Sequence, residues 1–264
     1  MKLGFIGCGN MATAIAKGII SKGIVTPENI YGSNHTLAST QRVARELGIN
    51  TTTNNLEVVA QADIVFLSVK PQQFDAVIDQ IKNEVRPAQI VVTMSPGKTI
   101  SWFEEAFGKP LKLVRTAPNT PALVGAGITA YCENSLVTEE ELQVIEQLLS
   151  SFGNIVHLKE SLLDVVSVVG GSSPAYVYMF IEALADGAVA EGLPRAQAYE
   201  IASQAVLGSA KMVLESGKHP AQLKDEVCSP GGSTIVGVQT LENAGFGGAV
   251  ISAIRDCAAR ARQL

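Results

Sequence analysis

Met1-Lys2-Leu3-Gly4-Phe5-Ile6-Gly7-Cys8-Gly9-Asn10-Met11-Ala12-Thr13-Ala14-Ile15 decides the fold: a short apolar run ends in Gly7-x-Gly9-x-x-Ala12 and continues with helical spacing. That order is strand, tight turn, helix start. Gly7 permits the sharp turn, Gly9 has no Cβ to obstruct a pyrophosphate, and Ala12 lets the helix pack closely on the strand. The free N–H groups and positive dipole end of a helix beginning near Asn10 would receive the phosphates. A glycine-rich turn that only packs a helix on a sheet satisfies the same spacing, so the rest of the chain has to discriminate.

The first helix is expected to reach about Lys22, with Gly23 closing it, and Asn29-Ile30-Tyr31-Gly32-Ser33 to form a second short strand. At the end of this strand NAD-specific folds carry an acid for the ribose 2′-hydroxyl. Here the chain has Ser33-Asn34-His35-Thr36, with Arg42 further on. Neutral donors accept a 2′-phosphate that an acid would repel, which favours NADPH while admitting NADH; a polar turn capping the next helix is the alternative.

Residues 37 to 47 have helical spacing, and a short helix at 58 to 62 follows the turn or cap residues Asn54-Asn55. Residues 63 to 69 are nearly all apolar, as in a parallel strand buried on both faces, and Lys70-Pro71 stops them. A helix at 72 to 84, a strand at 90 to 94, a helix at 99 to 107 and a strand at 111 to 115 follow. Strands at 127 to 132 and 154 to 158 flank a helix at 138 to 151, which opens with Thr138 and three glutamates suited to the helix dipole. Such alternation predicts an α/β fold with an N-terminal Rossmann-like doubly wound sheet, its ligands at the carboxyl ends of the strands, where Ser33, Lys70, Ser95 and Ala117 fall. From about 161 strand signals vanish, and helices are expected at 161–169, 174–191, 195–216, 220–226, 233–243 and 247–262. The expected domains are 1–160, dinucleotide-binding, and 161–264, an all-α C-terminal domain.

With 20 basic and 25 acidic residues the formal net charge is −5, which argues against nucleic-acid binding as the main task. Cys8, Cys132, Cys228 and Cys257 are scattered, with no histidines at metal-ligand spacing. Buried reduced thiols in a reducing cytosol are expected, with no metal site. The first strand begins at once, leaving no room for a signal peptide, and no apolar run approaches the roughly 18 residues of a membrane span. A cytoplasmic protein without membrane contact is the expectation.

The long helices of the second half read as apolar nearly all round apart from Glu182 and Asp186. A domain of about one hundred residues cannot bury several such helices by itself, so the helical half is expected to dimerise, in preference to a compact monomeric bundle. Two glycine- and serine-rich loops interrupt it. Val169-Gly170-Gly171-Ser172-Ser173-Pro174-Ala175-Tyr176 is read as an ordinary helix start, with serine caps and Pro174 at the first helical position. Cys228-Ser229-Pro230-Gly231-Gly232-Ser233-Thr234 would instead converge backbone N–H groups on a small anion such as a carboxylate, a plain capped turn being the alternative.

Gly7-x-Gly9-x-x-Ala12, Ser68-Val69-Lys70-Pro71, Arg115-x-x-Pro118-Asn119-Thr120-Pro121, Gly171-Ser172-Ser173-Pro174-Ala175-Tyr176, Ala185-Asp186-Gly187 with Gly192-Leu193-Pro194, and above all Ser229-Pro230-Gly231-Gly232-Ser233-Thr234 resemble the pyrroline-5-carboxylate reductase family over the whole chain. The resemblance implies reduction of a cyclic imine, pyrroline-5-carboxylate, to L-proline by NAD(P)H, the final step of proline biosynthesis. It implies that backbone amides of Ser229, Gly231, Gly232 and Ser233 hold the substrate carboxylate, while Thr234, the one catalytic candidate, hydrogen-bonds near the ring nitrogen. The cofactor positions it carries over are Ile6, Gly7, Cys8, Gly9, Asn10, Met11, Ser33, Asn34, His35, Asn55, Ser68, Val69, Lys70 and Pro71. It further implies a homodimer interleaved through the helical domains, assembly to a decamer, and a substrate loop that completes the partner's site.

The chain departs from the family pattern at Ser173 in place of a glycine, at Ala117 in place of a methionine, and at Met94-Ser95-Pro96-Gly97, where Pro96 removes a backbone donor on the expected path of the cofactor ribose. No general acid stands out: His35 falls at the cofactor end, His157 in a strand and His219 beside Pro220 in a turn. A protonated imine arriving from solvent needs none, and alignment of two ligands supplies on the order of 7–11 kcal/mol in favourable cases. Glu182 or Asp186 could balance charge, though solvated pairing is the plainer reading. The alternatives are another imine or 2-hydroxyacid reductase, which would place a catalytic Lys or Asp in the helix from Pro174, and a nucleotide- or pyridoxal-phosphate-binding module without activity. That helix has no lysine, and the intact Ser229–Thr234 motif counts against the second.

Overall fold

The structure, a computed structural model, describes residues 1–95 and 97–262. Its described residues form two compact units, one of Met1–Gly171 with the chain from Ala258 onward, the other of Ser172–Cys257.

The first unit carries one sheet built from β1 (Leu3–Ile6), β2 (Ile30–Ser33), β3 (Asn50–Thr52), β4 (Ile64–Leu67), β5 (Ile90–Thr93), β6 (Lys112–Ala117), β7 (Gly127–Glu133) and β8 (Gly153–His157). The spatial order is β3-β2-β1-β4-β5-β6-β7-β8. All neighbours run parallel except β6 and β7, where Ala117 pairs with Ala130. The order reverses direction between β1 and β4, and at such a switch point the loops leaving adjacent strands diverge and open a crevice.

Both faces of the sheet are covered. On one lie α1 (Asn10–Ser21), α2 (Leu37–Leu47) and α6 (Glu139–Leu149); on the other lie α3 (Asn55–Gln61), α4 (Phe74–Ile81), α5 (Ile100–Phe107) and α7 (Glu160–Val166). Alternation along each strand distributes the core. Ile64 and Phe66 of β4 face α1, while Val65 and Leu67 face α4, so the run has to be apolar throughout. Phe66 stacks on Phe5 with ring centroids 4.7 Å apart. Each fully buried Leu, Ile or Phe of this kind contributes about 1.5–3 kcal/mol. At Gly4 of β1 a Cβ would lie 2.8 Å from Val58 and Ala62, so its absence lets α3 pack against the strand.

Two local features differ from expectation. β3 is unforeseen because Asn50-Thr51-Thr52 has no apolar run; its backbone pairs with β2 at the sheet edge, where half-exposed polar side chains suffice. The segment around Gly170 and Gly171 is not a loop. Ser167–Ser172 forms a π-helical turn between α7 and α8 (Ser173–Ala190). The side-chain amide of Asn119 donates to the Gly170 carbonyl at 3.0 Å, and the bare Gly170 leaves room beside Ile128. Ser172 occupies the cap position without a side-chain capping bond, and Pro174 is the second residue of α8.

In the second unit α8 is followed by α9 (Arg195–Ser216), α10 (Pro220–Val227), α11 (Ser233–Asn243) and α12 (Phe246–Ala261). In the single chain α8 buries only Ala185 and α9 only Ala198 and Ala202; α10, α11 and α12 bury none of their residues. Met179 of α8 is 67% exposed and Leu214 of α9 75%. Faces this apolar are what a second copy would cover.

Candidate functional site: a glycine-lined cleft and a helix-opening loop

At the carboxyl end of β1 the chain turns through Gly7, whose φ of +91° lies in the region side chains avoid. A Cβ there would also lie 2.8 Å from Val69 Cγ1 and 3.0 Å from the Ser68 carbonyl oxygen. The N–H groups of Gly7 and Cys8 donate to the Ser33 carbonyl at 3.0 and 3.1 Å, which ties the turn to β2. Gly9 caps α1 in extended conformation, no side chain fills the cap, and a Cβ added to it meets nothing within 4 Å. The first N–H groups of α1 therefore open onto free space, the arrangement an anion requires.

That space is a cleft of about 300 Å³. Gly7 and Gly9 line it from the β1 turn, Ser33, Asn34 and His35 from the end of β2, and Ser68, Val69 and Lys70 from the end of β4. Asn55, the first residue of α3, lines it as well. The Ser33 hydroxyl donates to Asn55 Oδ1 at 2.7 Å, and Asn55 Nδ2 donates to Gln80 Oε1 at 2.9 Å.

The other expected cofactor positions are not among the lining residues. Ile6 is core, 1% exposed, and Met11, the second residue of α1, packs partly buried against the core. Cys8 turns its thiol inward, 3.8 Å from the Phe5 carbonyl, and burial pushes that thiol up to about 12 against the lowering effects of the Ser33 backbone and Arg42. Asn10 stands exposed at the start of α1, and Pro71 begins the 3-10 turn Pro71–Gln73. Four lining residues are unforeseen: Thr53, Gln73, Val77 and Gln80. The last three recur at helical spacing along one face of α4 and its entry turn, a signal visible in the sequence only once that face is known to meet the cleft.

No carboxylate lines the cleft among the described residues, while His35 and Lys70 do. Acid-free walls, a bare Gly9 and an uncapped helix N-terminus fit a dinucleotide carrying a 2′-phosphate. Ser95 is buried, and Pro96, on which the expected loss of a donor turns, lies outside the described residues.

Arg115 does not face this cleft. Only 3% of its side chain is exposed; it reaches Glu160 at 3.2 Å and Asp164 at 2.6 Å, holding α7 on the sheet. Asn119 accepts from the Ile128 N–H at 2.9 Å besides gripping Gly170, so these two motif residues are structural.

In the second unit Gly231 takes φ +69° and Gly232 caps α11 in extended conformation, with no side-chain cap. The Gly232 N–H donates to the Ser229 carbonyl at 3.0 Å, closing a turn whose next residues, Ser233 and Thr234, open the helix with exposed side chains. Free backbone donors and a hydroxyl thus share one helix mouth.

The remaining candidates are otherwise engaged. His157 Nε2 lies 2.8 Å from Glu133, with its ring on Tyr131; His219 caps α10, its Nδ1 accepting from the Ala221 N–H at 3.2 Å; Asp186 pairs with Arg195. Cys8 and Cys132 are buried as expected, but Cys228, just after α10, and Cys257 in α12 are only half-buried, because these helices are uncovered in the single chain. Among the described residues no group of His, Cys, Asp or Glu could hold a metal ion, and no helix is long and apolar enough to cross a membrane.

A doubly wound sheet with an acid-free glycine cleft at its switch point, followed by a helical half with uncovered apolar faces, defines the class of Rossmann-type nicotinamide-dependent oxidoreductases with a C-terminal association domain. Residues 160–264 match the family described as pyrroline-5-carboxylate reductase dimerisation, and residues 2–97 match that described as NADP oxidoreductase, coenzyme F420-dependent. The chain is 45% identical over 263 residues to pyrroline-5-carboxylate reductase of Escherichia coli, covering 100% of this chain and 98% of that one. It belongs to the pyrroline-5-carboxylate reductase family. Human pyrroline-5-carboxylate reductase 2 is 41% identical over 268 residues, 100% of this chain and 84% of that one. Among solved structures, the Plasmodium falciparum pyrroline carboxylate reductase with NADP bound superposes with a TM-score of 0.90 at 33% identity, covering 100% of this chain and 97% of that one.

Proposed function

We propose that the chain reduces pyrroline-5-carboxylate to L-proline with NADPH, NADH serving as the alternative donor, as the final step of proline biosynthesis. The acid-free cleft at Gly7 and Gly9 carries this reading, together with the Ser229–Thr234 turn. NADPH, when bound, supplies the hydride that saturates the C=N bond.

The chain's own part is to bind and align. Gly7 and Gly9 admit the pyrophosphate to the backbone above Ile6, where the N–H groups of Asn10 and Met11 open α1, while Cys8 ties the turn to β2 through its N–H on the Ser33 carbonyl. Ser33, Asn34, His35 and Asn55 receive the adenosine end, and Ser68, Val69 and Lys70 bound the cleft from the end of β4, with Pro71 starting the turn that follows. Backbone amides at Ser229, Gly231 and Ser233 hold the substrate carboxylate, the Gly232 N–H closes the turn on the Ser229 carbonyl, and the Thr234 hydroxyl orients the ring nitrogen. The imine enters already protonated, so no side chain has to deliver a proton.

In this reading residues 1–160 are the dinucleotide-binding domain and 161–264 the helical dimerisation and substrate-binding domain. The exposed apolar faces of α8, α9 and α11 support a homodimer through the helical half; assembly of such dimers to a decamer and action in the cytoplasm complete the reading. Purified protein with NADPH and pyrroline-5-carboxylate should lose nicotinamide absorbance with formation of proline; no oxidation at millimolar substrate would refute the proposal.

A further inference from the structure

We propose that Gln80 is a positioning and specificity-determining residue for the dinucleotide, acting through Asn55; the inference rests on the cofactor cleft assigned above. Gln80 lies in α4 on the face that also presents Val77 to the cleft, and no sequence motif marks it. Its Oε1 accepts from Asn55 Nδ2 at 2.9 Å, while Asn55 Oδ1 accepts from the hydroxyl of Ser33 at 2.7 Å. Ser33 is 1% exposed and anchored in β2, so the chain Ser33–Asn55–Gln80 spans the cleft wall from a rigid strand to a helix. The Asn55 amide is held at both ends, with one N–H and one lone pair left for a ligand. Without Gln80 the nitrogen end is released and the amide rotates.

Charge adds the second role. No carboxylate lines the cleft among its described residues, and Gln80 is the neutral isostere of a glutamate in that wall. Glutamate would still accept from Asn55, but its charge would oppose a 2′-phosphate and spare a 2′-hydroxyl. Positioning and charge are therefore separable by two substitutions.

Dissociation constants of NADP⁺ and NAD⁺ are measured by calorimetry, and KM and kcat with NADPH and NADH, for wild type, Gln80→Met and Gln80→Glu. Gln80→Met, which keeps length but loses the acceptor, should weaken both nucleotides about three- to tenfold with kcat within about twofold. Gln80→Glu should leave NAD⁺ within about twofold and weaken NADP⁺ about tenfold or more, inverting the effect a loss of folding would have. Unchanged binding in Gln80→Met, or equal loss of both nucleotides in Gln80→Glu, overturns the inference while leaving the cleft assignment intact. Binding of neither nucleotide by the wild type overturns the cleft assignment and this inference with it.

Discussion

The Ser68 hydroxyl donates to the Gly7 carbonyl at 2.8 Å, stitching the end of β4 onto the turn that leaves β1. This closure brings Val69 and the Ser68 backbone against the bare face of Gly7, whereas Gly9, two residues on, faces open space. Gly7→Ala combines a positive φ with a 2.8 Å approach and should destabilise the fold by about 1–3 kcal/mol. Gly9→Ala should leave thermal stability within about 0.5 kcal/mol yet weaken NADPH binding tenfold or more, since its Cβ enters the phosphate path. Melting curves and calorimetry on the two variants separate these outcomes.

Arg115 is the buried member of its ion-pair triad, with Glu160 and Asp164 about one-third exposed. Asp164→Ala leaves the guanidinium with half its partners, and the cost is below that of a fully buried pair because water reaches the carboxylates. Urea denaturation should show a loss of about 1–3 kcal/mol, and a variant as stable as the wild type would refute the clamp on α7.

Desolvation by burial pushes the thiols of Cys8 and Cys132 up to about 12 from the ordinary 9.0, with nearby Glu160 adding to the shift at Cys132. The unfolded chain loses these protons from pH 9.0, the folded chain only near 12, so the folded state binds more protons in between. Their contribution to stability is fully present below 9.0 and disappears as pH rises through the window to about 12. Denaturation midpoints should fall over that range, less steeply in Cys8→Ala. Under native conditions at about pH 8, alkylation should spare Cys8 and Cys132 and reach them only on unfolding.

Thr234→Ala removes a hydroxyl from the mouth of α11, whereas the residues lining the dinucleotide cleft all belong to the first unit. The KM for pyrroline-5-carboxylate should rise about tenfold, as loss of one ligand hydrogen bond implies, while the NADPH dissociation constant stays unchanged. Equal loss of both would contradict the role assigned to Thr234.

Met179 is two-thirds exposed on α8 in the single chain. A charge there has no partner in an apolar interface, so Met179→Glu should shift sedimentation toward monomer and make the melting temperature depend on protein concentration. An unchanged oligomer would exclude this face from the contact.

Much of the fold is legible in local pattern. Residues 37 to 47 and 195 to 216, read as helices, coincide with α2 and α9, because helix period and caps are properties of neighbouring residues. Gly7 and Gly9 announce the turn, and Ser33-Asn34-His35 announces its lack of acid, for the same reason: the chemistry lies within a few residues.

What joins distant residues is set only by tertiary structure. Asn50-Thr51-Thr52 is a strand because β2 offers it an edge, and Ser167–Ser172 stays helical with Asn119 holding Gly170. Thr53, Gln73, Val77 and Gln80 join the cleft only because the order β3-β2-β1-β4 sets the loop after β3 and the face of α4 beside the glycine turn. The sequence by itself determined the alternating elements, the dinucleotide turn and the glycine loop before α11, since each arises from short-range periodicity and turn chemistry. The tertiary structure alone decided which of those residues meet, how Asn55 is held and which thiols are shielded, because contacts across the sheet depend on strand order and burial, which no local pattern encodes.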